Sequence, residues 1–207
     1  MTAGPASEPI LDADWRAFVE RPATYADPAR LALCFDGAIG EAACERMLDI
    51  GRLQPRLSRM LADRYGLSDA VLPPAETGKR MIALSTAEDL GEIALRAGAV
   101  FWANAFAGII VNDRTAALDA ALGDGALAIA ATNRDLAGPV QPLDPIDTLR
   151  ERVFADGWRC LGAWCLSAGD TGRRVRLKLP PDPLIDEPDA TFAVAGPAIV
   201  ARVVSGA

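Results

Sequence analysis

Residues 90–131, LGEIALRAGAVFWANAFAGIIVNDRTAALDAALGDGALAIAA, decide the fold class. Residues 97–111 are almost wholly apolar or small, which is typical of a helix buried on all sides in a protein core or a membrane. This run of about fifteen residues is shorter than the roughly 20 that a bilayer core requires. Arg96 and Asp113 bracket it, and Asn104 lies in its middle. We therefore predict a core helix in which Arg96 and Asn104 find partners, because an unpaired buried polar group is costly. The partner of Arg96 is a carboxylate such as Asp113 or one in the helix over 146–168.

The composition narrows the classes of partner and chemistry. The chain of 207 residues has a formal net charge of −7, whereas a surface that binds nucleic acid must be basic to meet the phosphates. We therefore expect no nucleic-acid partner. The chain contains no histidine, which is the usual general base and metal ligand near neutral pH. This favours a protein that is not an enzyme, with no catalytic, cofactor-binding or metal-binding residues.

The four cysteines, Cys34, Cys44, Cys160 and Cys165, form no Cys-x-x-Cys pair and lie among apolar neighbours. Free cysteine is among the most frequently buried residue types, so we predict buried free thiols. Residues 1–9 have neither the basic start nor the apolar run of a secretory signal peptide. Reduced thiols and the lack of such a signal favour a cytoplasmic location.

Caps, prolines and apolar periodicity predict a succession of helices. The expected helices cover residues 27–34, 37–53, 55–66, 86–111, 112–122, 124–132 and 146–168, with a loop over 67–84 and a short helix or strand over 14–20. A capping box of Ser85 and Glu88 is expected to open the central helix. The helix over 146–168 has an apolar face formed by Ile146, Leu149, Val153, Gly157, Leu161 and Trp164.

The C-terminal part has a different pattern. Residues 174–179, RVRLKL, alternate between basic and apolar side chains, which is typical of a half-buried strand. Residues 191–204 are rich in Val, Ile and Ala and predict another strand, broken at Gly196-Pro197. The predicted fold is therefore mainly α, a single irregular multi-helix domain with a small C-terminal β element. The expected divisions are a flexible N-terminus (1–13), a helical domain (14–181) and a C-terminal segment (182–207) packed on it as a strand.

Two glycine motifs resemble nucleotide-binding loops without meeting their requirements. Gly78 and Lys79 match part of a phosphate-binding loop, but Pro73 stands where the motif needs its first glycine and Arg80 where it needs Ser or Thr. Residues 123–128, GDGALA, match a dinucleotide-binding string, but that string requires a preceding strand, and here a predicted helix precedes it. We therefore expect a turn between helices and no bound cofactor.

The basic run Arg173, Arg174, Arg176 and Lys178 has two interpretations. Basic residues on an outer strand discourage edge-to-edge aggregation of sheets. Alternatively, the run is a patch that binds an acidic partner, or a strand edge that another chain extends. We name these four residues as candidate partner-binding residues, and both interpretations stay open.

Several segments resemble the SctK family (YscK, PscK and MxiK), which are cytosolic accessory proteins of bacterial type III secretion systems. The resemblance covers about residues 14–181. It is carried by the central segment 93–106, by Leu136-Ala137-Gly138, by Gly157-Trp158, Leu161 and Trp164, by RRVRLKLP, and loosely by Ala17-Phe18, Pro22-Ala23 and Tyr25. The chain departs from the family in being unusually rich in Ala and Gly, and residues 182–207 resemble nothing in it.

The resemblance implies a non-enzymatic adaptor of the secretion sorting platform. Such an adaptor links the pod protein SctQ to the cytosolic domain of the inner-membrane ring protein SctD, and indirectly to the SctL stator and the SctN ATPase. Its membrane association is peripheral, through SctD. The residues themselves leave two alternatives open: a small cytosolic enzyme that uses carboxylates or Lys79, and a helical regulatory protein resembling a chaperone.

Overall fold

The computed structural model describes residues 13–69, 71–108, 112–123 and 125–206, and its regular elements there are helices. The α-helices are α1 (Ala13–Glu20), α2 (Pro28–Ala32), α3 (Glu41–Leu48), α4 (Gln54–Tyr65), α5 (Thr77–Leu84), α6 (Ala87–Phe101), α7 (Ala103–Phe106), α8 (Asn112–Leu122), α9 (Ala126–Thr132), α10 (Leu149–Ser167), α11 (Gly169–Arg176), α12 (Pro183–Asp186) and α13 (Ala190–Ser205). Short 3-10 turns lie at Pro22–Thr24, Leu33–Phe35, Gly51–Leu53, Arg134–Leu136 and Ile146–Thr148. The prediction of a mainly helical fold is confirmed.

Hydropathy gives one further result. Within the described ranges, none of these helices combines the length and the apolar character needed to cross a bilayer. The central segment instead lies in the protein core, where Ala97, Val100 and Phe101 are buried.

Several helix ends follow directly from local sequence. The Asp27 carboxylate caps α2 by accepting a hydrogen bond of 2.8 Å from the amide of Ala29, and Gly66 ends α4 with a φ of 60°. A Cβ atom makes that left-handed conformation unfavourable, so glycine suits the position. The helices predicted over 112–122 and 124–132 correspond to α8 and α9, although Asp124, the expected cap, lies outside the described residues.

The central helix begins one residue later than predicted. Thr86, rather than Ser85, is the cap: its hydroxyl accepts from the amide of Asp89 at 3.1 Å, and the Asp89 carboxylate accepts from the amide of Thr86 at 3.0 Å. The end of the central helix differs as well, because α6 ends at Phe101 and the separate short helix α7 follows, whereas the prediction extended one helix to residue 111. Two other segments also differ. The helix predicted over 37–53 is only α3, and the loop predicted over 67–84 contains α5, which buries Ile82.

The strand predicted over 174–179 is wrong, because the segment continues α11 into a tight turn. Its amides at Leu177, Lys178 and Leu179 donate to carbonyls three residues earlier. Arg174, Val175, Leu177, Lys178 and Leu179 are all buried, whereas a half-buried strand would bury only every second residue. The alternation of basic and apolar residues predicts a strand only if every basic side chain faces solvent. Arg174 and Lys178 are buried, so that condition is not met.

The strand predicted over 191–204 is also wrong, since this segment is α13. Asp189 caps it by accepting from the amide of Thr191 at 2.9 Å. Its buried residues follow helical spacing and are Phe192, Gly196, Ile199, Val200, Val203 and Val204. Pro197 lies inside the helix. Segment 182–207 is thus not a strand on the domain surface, and its described part belongs to the core.

The centre of the molecule is a close crossing of α6 and α10. A Cβ atom at Gly98 would overlap the Val153 carbonyl oxygen, and one at Gly157 would overlap the Ala94 carbonyl oxygen. Glycine is therefore required at both positions, because any side chain would force the backbones apart. Of the apolar face predicted for the helix over 146–168, Leu149, Val153, Gly157, Leu161 and Trp164 are buried in α10 as expected. Ile146 instead lies in the 3-10 turn before α10 and is only partly buried.

Among the residues that the structure describes, the buried apolar side chains form two clusters. The larger surrounds the α6–α10 crossing and includes residues of α1, α5 and α13. The smaller lies between α2, α3 and α4 and contains Leu31, Cys44, Leu57 and Leu61. Leu177, in the turn after α11, belongs to the smaller cluster, whereas Val175 two residues earlier belongs to the larger one. This turn therefore lies where the two cores meet.

The two polar residues of the central segment have different surroundings. The Asn104 amide donates to the carbonyl of Gly138 at 3.0 Å and accepts from Arg134 at 3.3 Å, so the prediction that it is satisfied by partners is confirmed. Arg96 is exposed, which corrects the prediction that it lies in the core. The side chain of Asp113, its proposed partner, lies outside the described residues.

Candidate partner-binding surfaces

The four candidate basic residues do not form one surface patch. Arg174 and Lys178 are buried, with exposed fractions of 1% and 9%. The side chain of Arg173 is 51% exposed and that of Arg176 is 21% exposed. Because the segment is helical, the strand-edge interpretation fails for all four, and only Arg173 and Arg176 present charge at the surface.

Arg174 connects three segments of the chain. Its guanidinium donates to the carbonyl of Val19 at 2.8 Å, to the carbonyl of Ser68 at 2.5 Å and to the carboxylate of Asp170 at 3.0 Å. A buried charge is tolerated only when it is paired and hydrogen-bonded. Arg174 therefore joins α11 to the end of α1 and to the segment that follows α4.

Lys178 is held in a similar way. Its ammonium donates to the carbonyls of Ala83 at 2.7 Å and Ser85 at 2.6 Å. It also lies 5.2 Å from the ring centres of Phe18 and Tyr25, within the range of a cation–π interaction. Burial lowers the pKa of Lys178 to about 8, and Asp89 partly offsets that effect. This lysine fixes the C-terminal end of α5 against α1.

Arg176 shares a carboxylate with a buried arginine. Asp186 lies 3.5 Å from Arg176, and it accepts two hydrogen bonds of 2.9 Å from the buried Arg30. Arg173 is less constrained, since it donates to the carbonyl of Gly66 at 2.9 Å and lies 3.8 Å from Asp170. Arg173 is thus the most accessible of the four candidates.

The residues considered for catalysis lie in ordinary structural surroundings. Lys79 is paired with Glu76 at 2.8 Å on the surface of α5. Gly123 and Gly125 both have positive φ, at 92° and 82°, and join α8 to α9, so the predicted turn between helices is confirmed. Among the described residues, no group of three or more Cys, Asp or Glu side chains is arranged to hold a metal ion.

The cysteines are free thiols, as predicted. Cys44, Cys160 and Cys165 are buried, whereas Cys34 is only partly buried. Burial raises the pKa of Cys160 and of Cys165 to about 12. The two thiols on α10 are therefore protonated and unreactive near neutral pH.

A second basic surface lies on the first half of α4 and on the 3-10 turn before it. Arg52, Arg56 and Arg59 are exposed and line one hollow of about 540 Å³ together with Pro55, Met60 and Asp63. We call these three residues the α4 arginine face. Within the described part of the chain, none of the three lies within 4 Å of a carboxylate. Sequence analysis missed this face, although the spacing of four and three residues was a signal that could have found it.

A cleft adjoins the α4 arginine face. It has a volume of about 640 Å³ and lies between α4, the end of α1 and the turn that follows α4. Arg59, Pro55 and Asp63 border both hollows. Arg21 and Arg59 supply positive charge to this cleft, and Arg174 lies at its base. Its acidic lining residues are Glu20, Asp63 and Asp69.

Comparison of the chain with protein-family models, with curated proteins and with solved structures gives no match.

Proposed function

We propose that the protein is a non-enzymatic adaptor of a type III secretion sorting platform, related to the SctK family. In this role it links the pod protein SctQ to the cytosolic domain of the ring protein SctD, and through the pod it is connected to SctL and SctN. It works in the cytoplasm, at the cytoplasmic face of the secretion apparatus.

The resemblance to the SctK family carries this proposal. The segments that bear the resemblance most clearly, residues 93–106 and 157–164, lie in α6–α7 and α10. They pack against each other at Gly98 and Gly157. A rigid helical centre of this kind suits a protein whose work is done by the surfaces it supports.

Copurification tests the proposal. The full-length chain is coexpressed with SctQ and with the cytosolic domain of SctD from the same organism, and complexes are separated by size-exclusion chromatography. We expect a stable complex with at least one of the two, and a bridged complex when all three are present. A chain that is folded by circular dichroism and binds neither protein would contradict the proposal.

Arg173 provides a local version of this test. Arg173→Glu removes an exposed positive charge that is not needed in the core, and we expect partner affinity to fall by about threefold to tenfold. Arg202→Glu is the matched control, because the Arg202 side chain is 48% exposed and lies 3.3 Å from Asp135. An equal loss of affinity in both variants would show that Arg173 has no specific role in partner binding. Charge reversal at Arg174 or Lys178 is unsuitable, because both are buried.

A further inference from the structure

We infer that the α4 arginine face is a docking site for an acidic segment of a protein partner. Arg52, in the 3-10 turn that leads into α4, and Arg56 and Arg59, on α4 itself, are exposed and line one hollow. Among the described residues none of the three forms an ion pair within 4 Å, although Asp63, four residues after Arg59, borders the same hollow. This inference is independent of the secretion assignment, since it depends only on the charges and shape of this surface.

The position of these arginines is unfavourable for the helix that carries them. Arg56 lies in the first turn of α4, and that turn contains no acidic residue. The start of a helix carries partial positive charge, so cations there destabilise it. Arg56 and Arg59, three residues apart on α4, also repel each other. A local cost of this kind, with no ion pair among the described residues to offset it, points to a role in binding.

The shape of the surface fits an extended peptide. Arg59 lies between two adjoining hollows, of about 540 and 640 Å³, and Pro55 and Asp63 border both. A chain that passes from one hollow to the other crosses Arg59 and has Arg52 and Arg56 on one side. Arginine forks bind carboxylates through paired N–H donors, so Asp and Glu side chains on such a chain meet suitable partners.

The acidic residues around the site select a peptide over a nucleic acid. Glu20, Asp63 and Asp69 line the cleft beside Arg59, and the whole chain is acidic, with a net charge of −7. A nucleic acid carries a phosphate at every step and would meet these carboxylates. A peptide has carboxylates only at some positions and places neutral residues opposite Glu20, Asp63 and Asp69.

Fluorescence anisotropy with the full-length chain tests the inference. The probe is a fluorescein-labelled peptide of four Asp-Ser-Glu repeats, and its uncharged counterpart has four Asn-Ser-Gln repeats. We expect saturable binding of the acidic peptide that weakens as salt is added, because salt screens exposed charges. Absent binding of the acidic peptide, or equal binding of its uncharged counterpart, would overturn the inference.

Paired variants locate the site. Arg56→Glu combined with Arg59→Glu should weaken binding of the acidic peptide by about tenfold or more, since attraction becomes repulsion at two positions. Arg16→Glu combined with Arg96→Glu is the control, because it makes the same change in net charge at two exposed arginines elsewhere. A similar loss in the control would show a response to overall charge and overturn the inference.

Two further measurements separate binding from folding and from another class of partner. Arg56→Glu alone places a negative charge in the first turn of α4, so we expect its melting temperature to equal or exceed that of the wild type while its affinity falls. A lower melting temperature would assign Arg56 a role in the fold and contradict the inference. A single-stranded oligothymidylate that binds more tightly than the acidic peptide at the same salt concentration would also overturn it.

Discussion

Lys178 illustrates how a buried cation can hold elements of a helical protein together. Its ammonium donates to the carbonyls of Ala83 and Ser85, where α5 ends. The end of a helix carries partial negative charge, so a cation is favoured there. The rings of Phe18 and Tyr25 cover the other side. A neutral amine retains two donors for the two carbonyls, so these hydrogen bonds survive deprotonation.

The pH dependence of stability tests this description of Lys178. Its pKa is lowered from 10.5 to about 8, mainly by burial. Between these values the unfolded chain binds more protons than the folded chain, so the contribution of Lys178 to stability rises with pH. We expect the free energy of unfolding of the wild type, from urea denaturation, to increase relative to that of Lys178→Met between pH 8 and pH 10.

The comparison with Lys178→Met is needed because the cysteines act in the opposite direction. Burial raises the pKa of Cys160 and Cys165 to about 12. The unfolded chain therefore loses thiol protons first, and stability falls as the pH rises past the usual thiol pKa of about 8.5. This decline is common to both proteins and cancels in their difference. A difference that stays constant from pH 8 to pH 10 would contradict the assignment to Lys178.

At the scale of elements, the fold depends on how closely α10 can approach its neighbours. Gly157 lies against α6, Gly162 against the backbone of Ile185 in α12, and Gly196 of α13 against the backbone of Cys160. In each case a Cβ atom would overlap backbone atoms of the adjacent helix. Backbones cannot yield as the end of a flexible side chain can, so these positions tolerate no side chain.

Gly157→Ala measures the importance of this approach. The added methyl group would force α6 and α10 apart, and we expect a loss of about 3 kcal/mol or more in the free energy of unfolding, at the upper end for single substitutions. Gly51→Ala is the control, because nothing lies within 4 Å of a Cβ atom there. Urea denaturation at neutral pH compares the two variants. Similar stability of both would show that the helices can separate without cost.

The contrast between correct and wrong element predictions has a physical cause. The apolar face of α10 was predictable because its buried residues are apolar and recur with helical spacing. The segment after Gly169 was not, because Arg174 and Lys178 are buried through long-range contacts with residues such as Val19 and Ala83. In α13, Gly196 and Pro197 suggested a break, although glycine there permits contact with α10.

For the whole molecule, α13 is a main component of the larger core. Its buried apolar residues are Phe192, Ile199, Val200, Val203 and Val204. Each buried side chain of this size contributes about 2 kcal/mol, so five contribute about 10 kcal/mol. That sum is comparable to the entire stability of an ordinary domain, about 5–15 kcal/mol. The division that places residues 14–181 in a separate domain therefore omits a necessary part of the core.

Truncation tests this conclusion. A chain that ends at Pro181 exposes the part of the larger cluster that α13 covers, and we expect it to show no cooperative thermal transition by circular dichroism. The control is Val194→Ser in the full-length chain, because Val194 lies on the same helix and is 83% exposed. Cooperative unfolding of the truncated chain would show that residues 14–181 fold without α13.

The candidate surfaces were less predictable than the fold. The sequence indicated Arg173 and Arg176 correctly as surface charges, but it gave no sign that Arg174 and Lys178 lie inside. The α4 arginine face was missed because neutral residues separate Arg52, Arg56 and Arg59, so that only their spacing of four and three residues indicated a common side. The hollow that they share shows them as one surface, and whether a carboxylate of another helix pairs with them depends on how the helices are arranged.

The two buried clusters have a consequence for spectroscopy. All four tryptophans belong to the larger cluster: Trp15, Trp102 and Trp164 lie within it and Trp158 packs against it. The smaller cluster contains no tryptophan, and Tyr25 and Tyr65 are its aromatic chromophores besides Phe35. Tryptophan fluorescence, excited near the red edge of protein absorbance, therefore reports on the larger cluster and not on the smaller one. Any early loosening around α4 would pass unseen in tryptophan emission.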